Sequence, residues 1–310
     1  MIVIIIIFFA SYIIFVHTCR LASDTMSIRV GFSFDLLGTL IAVHRSPGYQ
    51  YSLDILRFLE RKGLRSPPIN VTELDKNFRR SMKAEVAKDR EVWVAKGFVE
   101  DEMPIGGVTA DGTREIWYRI VDGVFDADGA FCNHDESVLS IVREARQRGE
   151  WRYFVENTLQ RFSTPEPYSW LPEALPTLRA LQRWREDQRS LGVMSEPPAV
   201  VSNSDVRLMT AVRLMVEREG DSALLGRLFS ADVIGAGKPS PKGISTASNA
   251  CGVTSMERWI HVGDSNEDKL AAERAGCHFL RCSRAMGVCW SDLHSKLQEV
   301  CGSAKAIRPS

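Results

Sequence analysis

The chain has 310 residues, 45% of them apolar and 25% charged, which suits one large or two moderate globular domains whose core needs no disulfide or structural metal. Lys plus Arg equals Asp plus Glu at 39 each, so the formal charge is zero and no broad field draws the chain to nucleic acid or acidic membranes. Cysteines at 19, 132, 251, 277, 282, 289 and 301 form no C-x-x-C pair and no zinc-spaced cluster, and read as reduced thiols of a reducing compartment.

From Ile2 to Val16 the chain is nearly all apolar, interrupted only by Ser11 and Tyr12. A spanning helix needs about 20 residues, and counting His17 to Cys19 brings the run into range. No basic residue precedes it, as a signal peptide would require, and the first positive charge is Arg20. Three readings stay open: a membrane anchor over residues 2–18, a cleaved signal, or sequence upstream of a product starting at Met26. The first two imply the membrane or secretory pathway, the last the cytoplasm.

Ile28 to Phe34 is a short β-rich run that ends in Asp35 and then Gly38-Thr39, which predicts a buried strand and a tight loop. Tyr51 to Lys62, Val71 to Trp93, Gly112 to Phe125 and Glu136 to Arg148 are amphipathic and helix-like, with few strand signals among them. Leu171 to Arg189, Val206 to Glu219, Pro241 to Cys251 and Leu270 to Ala275 also read as helices. These alternate with strands ending at Val201, at Val262 and over Cys277 to Cys282. Strands alternating with helices imply an α/β fold with a parallel sheet covered on both faces. The division is a hydrophobic segment at 1–25, a core from 26–43 and 171–302, a helical insert at 44–170, and a small polar tail at 303–310 expected to fray.

Parallel sheets place ligands beyond the carboxyl ends of their strands, and four polar groups fall there. Asp35 can attack phosphorus as a nucleophilic carboxylate, or simply cap its turn. Ser202 and Asn203 can hydrogen-bond phosphoryl oxygens ahead of a helix, or belong to an ordinary cap in the run Ser202 to Asp205. Lys238, between Gly237 and Pro239, can offset developing charge, or be a surface loop lysine. Asp264 and Asp268 flank a helix start, where acidic residues are favoured in any case. Magnesium takes hard oxygen ligands and usually only one or two protein carboxylates, so Asp35 and Asp264 suffice, with Asp268 beside them as a ligand or orienting Lys238.

Val30 to Leu40, Val200 to Asn203, Gly237 to Pro241 and Ile260 to Asp268 resemble motifs I to IV of the haloacid dehalogenase-like (HAD) superfamily, in order and spacing. The resemblance covers most of 28–43 and 172–285. The insert resembles the helical C1-type cap, and Asn77-Phe78-Arg79-Arg80 and Gly112 to Trp117 resemble the subgroup of haloacid dehalogenase-like hydrolase domain-containing proteins. The resemblance implies a Rossmannoid core with an inserted cap and magnesium-dependent attack by Asp35 on a small phosphorylated metabolite, with no nucleic acid. It also implies phosphate binding by Gly38, Thr39, Ser202 and Asn203, charge orientation by Lys238, and metal binding by Asp35, the Leu37 backbone carbonyl, Asp264 and Asp268.

One position departs from the pattern. Family phosphatases carry an Asp two residues after the nucleophile as general acid and base, and here that position is Leu37. Proton transfer of this kind is worth about 100- to 10,000-fold, so turnover is expected to be weak and confined to good leaving groups. Alternatives are a catalytically silent binder of a phosphometabolite or protein partner, and a dehalogenase-type hydrolase, whose halide leaves without a proton. His44 and Arg45 read as hinge residues, and Trp93, Trp117 and Trp151 as cap core.

Overall fold

The computed structural model describes residues 28–65, 67–100, 103, 110–125 and 136–306. The apolar run at residues 2–18, the Met26 start and Cys19 and Cys132 lie outside them. Among the described residues no helix is long and apolar enough to cross a membrane, and Cys251, Cys277, Cys282 and Cys289 are free thiols.

The central sheet has five parallel strands in the order β7-β6-β2-β8-β9. They are β2 (Gly31–Phe34), β6 (Ala199–Ser202), β7 (Leu228–Ser230), β8 (Trp259–Gly263) and β9 (His278–Arg281). β2 is the first of them in sequence and lies in the middle, with chain excursions to both sides, so its carboxyl end is the switch point where such sheets open a crevice. Alternation along each strand sorts the side chains onto two faces. Phe32, Phe34, Val200, Ile260 and Val262 pack with helices α6 (Ala174–Arg189), α7 (Val206–Arg218) and α11 (Trp290–Ala306). Ala199, Val201 and Trp259 pack on the other face with α9 (Lys242–Ala250) and α10 (Asn266–Ala275). Between β7 and α9 lies the short helix α8 (Ala231–Ile234).

Two interruptions refine the expected strands. Ile28 to Phe34 breaks at Val30 into β1 (Ile28–Arg29) and β2, and β1 pairs instead with β5 (Val193–Met194), which Ser195 to Pro198 separate from β6. An antiparallel ribbon of β3 (Ile41–Val43) and β4 (Tyr168–Trp170), not foreseen, carries the chain out of the core and back. Between them lie α1 (Pro47–Arg61), α2 (Val71–Ala95), α3 (Ala110–Val124), α4 (Glu136–Gln147) and the unforeseen α5 (Glu150–Arg161). α1 starts where Ser46 accepts from the Tyr49 amide with Pro47 in its first turn, and α2 where Asn70 accepts from the Glu73 amide. Tyr51, Phe58, Phe125, Trp151 and Phe154 form their shared core. The buried Arg161 guanidinium is held there by both oxygens of Asp54 and by Gln50. The α11 backbone continues through residues expected to lie in the tail as far as Ala306; residues 307–310 lie outside the described ones.

Candidate active site

The strand ends bring the polar groups of the four motifs together. Oxygens of Asp35, Asp264 and Asp268 all lie within 4.8 Å of one another. Lys238 is buried between two of these groups: its ammonium donates to Asp35 Oδ1 at 2.5 Å, to Asp268 Oδ1 at 2.5 Å and to the Val201 carbonyl at 3.0 Å. All three of its protons are thereby assigned.

Each side chain is held by its own local structure. The Asp35 amide donates to Val262 O, which ties the end of β2 to β8. In the next turn the amides of Thr39, Leu40 and Ile41 all go to the Leu36 carbonyl and that of Gly38 to Ile41 O, which leaves the Leu37 carbonyl out of the turn. Gly38 sits at φ +85°, and a Cβ there would lie 2.7–3.0 Å from the Asp264 carboxylate. Only glycine therefore lets loop and carboxylate meet. Gly263 has the same function on the other side, since its Cβ would come within 2.5 Å of the Asp268 side chain. Asp264 Oδ2 accepts from the exposed Arg284 Nε at 2.5 Å, a contact the sequence did not suggest.

Asp268 combines both readings offered by its position. Oδ2 closes a capping box with Ser265 at the start of α10, while Oδ1 accepts from Lys238. Beneath it runs a chain of buried groups. The Trp259 indole can only donate, and does so to Ser33 Oγ at 2.9 Å, so the Ser33 proton is free for His261 Nδ1 at 2.8 Å. His261 then carries its proton on Nε2, 3.3 Å from Asp268 Oδ1. Burial lowers the His261 pKa, in keeping with this neutral form. Ser33 and His261 were missed; their signal was a polar residue inside each of two buried apolar strands.

Electrostatics set the two carboxyl groups apart. Burial pushes Asp35 up to about 6 against the pull of Lys238, with Asp268 adding to the rise. Burial also acts on Asp268, but there Lys238 and His261 outweigh it and hold the group well below the usual carboxylate range. Burial opposes the charge on Lys238, and the two carboxylates overcome it and raise its pKa.

Two of the residues expected to contact phosphate make hydrogen bonds within the protein. The Asn203 side chain is committed to the main chain of Lys238, accepting from its amide at 2.6 Å and donating to its carbonyl at 2.8 Å. Thr39 is fully buried and its hydroxyl lies against Cys282 Sγ at 3.5 Å, beneath the loop. Ser202 ends β6 and Gly38 stays beside Asp264. His44 and Arg45 are exposed at the end of β3, where the Arg45 guanidinium lies 4.3 Å over the Tyr49 ring. Of the tryptophans, Trp151 belongs to the helical core, and Trp93 is buried and stacks on Phe98. Trp117 packs half-buried against that core, as expected, and also lines a cavity of about 240 Å³ whose wall includes Leu37, which is 40% exposed.

The chain belongs to the haloacid dehalogenase-like hydrolase family, which matches residues 31–276. Its fold is similar to that of the HAD-hydrolase YfnB from Bacillus subtilis bound to magnesium (14% identity, TM-score 0.49, 88% of this chain and 99% of that chain). It is also similar to an L-2-haloacid dehalogenase, PA0810 (18% identity, TM-score 0.48, 87% and 99%). A third is a 2-haloacid dehalogenase from Pseudomonas syringae pv. Tomato DC3000 (17% identity, TM-score 0.41, 83% and 86%). No curated protein matches the chain.

Proposed function

We propose that the protein is a metal-dependent phosphate-ester hydrolase that works through an aspartyl-phosphate on Asp35. The observation that carries the proposal is the buried Lys238 ammonium bridging Asp35 and Asp268, with the Asp264 carboxylate beside them. Lys238 occupies Oδ1 of Asp35 and so directs the other oxygen to attack phosphorus. The bond to the leaving oxygen breaks, and its electron pair goes with that oxygen. Water then attacks the phosphorus of the aspartyl-phosphate, frees inorganic phosphate and restores the Asp35 carboxylate; the water's proton passes to the phosphate. Leu37 can neither protonate the leaving oxygen nor take a proton from the water, so both steps are slow for alkyl esters.

Hard oxygens from Asp35 and Asp264, with the Leu37 carbonyl, fit magnesium, while both oxygens of Asp268 are already engaged. When bound, the ion would supply positive charge that offsets the negative charge of the phosphoryl group. Phosphate oxygens would meet Ser202 and the backbone around Gly38. We assign residues 44–170 as a C1-type cap and the substrate to small phosphorylated metabolites rather than nucleic acid. Production from Met26 would place the enzyme in the cytoplasm and retention of residues 1–25 at a membrane, which identification of the mature N-terminal peptide decides.

The test is hydrolysis of p-nitrophenyl phosphate by the full chain. The expected result is turnover with magnesium that falls at least about 100-fold with EDTA or in Asp35→Asn. Activity surviving either change overturns the proposal. The exposed, apolar Leu37 also suits a dehalogenase-type reaction with attack of Asp35 on carbon, and release of halide from 2-chloropropionate without metal would favour that reading. Binding of a phosphometabolite with no turnover of either substrate would point to a silent member of the family.

A further inference from the structure

The cavity beside Leu37 has a composition that the proposed chemistry does not by itself require. It lies where the nucleophile loop, the helical insert and the start of α7 meet, and its wall is almost entirely apolar. Five aromatic rings line it: Tyr51, Phe78, Trp117, Phe162 and Tyr168. Burial keeps the Tyr51 and Tyr168 hydroxyls neutral, and the Tyr168 hydroxyl donates to the Phe162 carbonyl. Arg207, also in the wall, is paired with Asp205, and its guanidinium lies 5.2 Å over the Trp117 ring. An anionic or sugar-like group would be poorly solvated here.

Size narrows the occupant. An engineered apolar cavity of about 150 Å³ holds benzene. A cavity of about 240 Å³ therefore takes a benzene ring with a small substituent.

Resting on the hydrolase reading above, we propose that this cavity receives the leaving group and that the substrate is an aryl phosphate monoester. Two independent features converge on this class. The wall selects an aromatic ring, and Leu37 selects a leaving oxygen that departs without a proton, as a phenolate does far more readily than an alkoxide. When Asp35 attacks phosphorus, the P–O(aryl) bond breaks and the phenolate takes the electron pair; it collects its proton from solvent after leaving the site.

Four esters tested on the full chain with magnesium separate the two features. Phenyl phosphate fills the cavity and has a good leaving group. Hexafluoroisopropyl phosphate, whose leaving oxygen is about as weakly basic as phenolate, has the leaving group without the ring, 2-phenylethyl phosphate fills the cavity alone, and glycerol 3-phosphate does neither. Phenyl phosphate is expected to exceed hexafluoroisopropyl phosphate in kcat/KM by about 10- to 200-fold, the range one apolar pocket contact can discriminate, and to exceed 2-phenylethyl phosphate by at least as much. Equality with hexafluoroisopropyl phosphate, or with 2-phenylethyl phosphate, overturns the proposal.

If no ester is turned over, the hydrolase reading fails and binding alone judges the cavity. Phenylphosphonate binding at least tenfold tighter than methylphosphonate by calorimetry keeps the aryl assignment, and equal affinities end it.

Discussion

Replacing Asp35 by Asn should make the protein more stable while abolishing its chemistry, and the size of the gain follows from where the carboxyl group sits. Burial raises Asp35 from an ordinary 3.8 to about 6 in the folded chain, despite the Lys238 ammonium 2.5 Å away. A raised folded pKa means that the protonated form favours folding. That stability is complete below pH 3.8 and is lost as the pH rises through 6. A shift of about two units corresponds to about 3 kcal/mol at pH 7.5 and, by the same linkage, about 1 kcal/mol at pH 4.5. Asn is uncharged at both values and avoids the cost, while Lys238 keeps Asp268 and the Val201 carbonyl as partners. His261, whose pKa is lowered by burial, loses stability in acid in both proteins and cancels in the difference. The assay is urea unfolding of the two full chains at pH 4.5 and 7.5 in metal-free buffer. The variant should gain about 2 kcal/mol relative to wild type between the two. A variant less stable than wild type at pH 7.5, or a gap that does not change with pH, would mean that attraction to Lys238 outweighs burial.

Two further changes probe the neighbouring groups. Asp268→Asn removes one of the two carboxylates around Lys238 and weakens the cap of α10, so urea unfolding should show a loss of about 3 kcal/mol, the cost of breaking a buried charge pair; a loss under about 1 kcal/mol would deny Asp268 that role. Arg284→Ala frees Asp264 from an exposed guanidinium. An exposed pair is worth up to about 1 kcal/mol, so calorimetric titration should find magnesium bound up to about fivefold tighter, and weaker binding would contradict a competition for Asp264.

What could be read in one dimension was the end of each strand. An apolar run stopped by Asp35, Ser202 or Asp264 marks a carboxyl edge without knowledge of the neighbouring strands, and parallel pairing then brings those ends together. Partnerships across the sheet were another matter. Ser33 and His261 meet across 228 positions of sequence, and neither has a local pattern that names the other. Asn203 sits where a phosphate ligand was expected, yet its amide matches the free donor and acceptor of the Lys238 backbone and is taken up there. Thr39 follows Gly38 in the loop, but the turn folds its hydroxyl under onto Cys282. The β3–β4 ribbon was invisible because its halves lie on opposite sides of the insert, each only three residues long. Trp117 packs against the helical core as expected, but its second role in a cavity wall was hidden, because helical periodicity gives a buried face without saying what lies against each part of it.

The arrangement of charge separates two requirements that would otherwise be confused. Asp35, Asp264 and Asp268 face two cations, Lys238 and Arg284, so with every group ionised and His261 neutral the site carries one net negative charge. A phosphate monoester dianion is repelled by such a site, and a divalent cation reverses the balance for every ester alike. Leu37 acts on a different atom. It leaves the bridging oxygen without a proton source, and the penalty grows with the basicity of that oxygen. Introducing Asp as Leu37→Asp should therefore raise kcat/KM on glycerol 3-phosphate by about 100-fold or more and on p-nitrophenyl phosphate by little. In a plot of log kcat/KM against leaving-group pKa, the variant should give the shallower slope, while its dependence on magnesium stays that of the wild type. An equal gain on every ester would mean that the new carboxylate acts on the metal or on water attack rather than on the departing oxygen. No gain on any ester would show that the proton missing at position 37 is not what limits turnover.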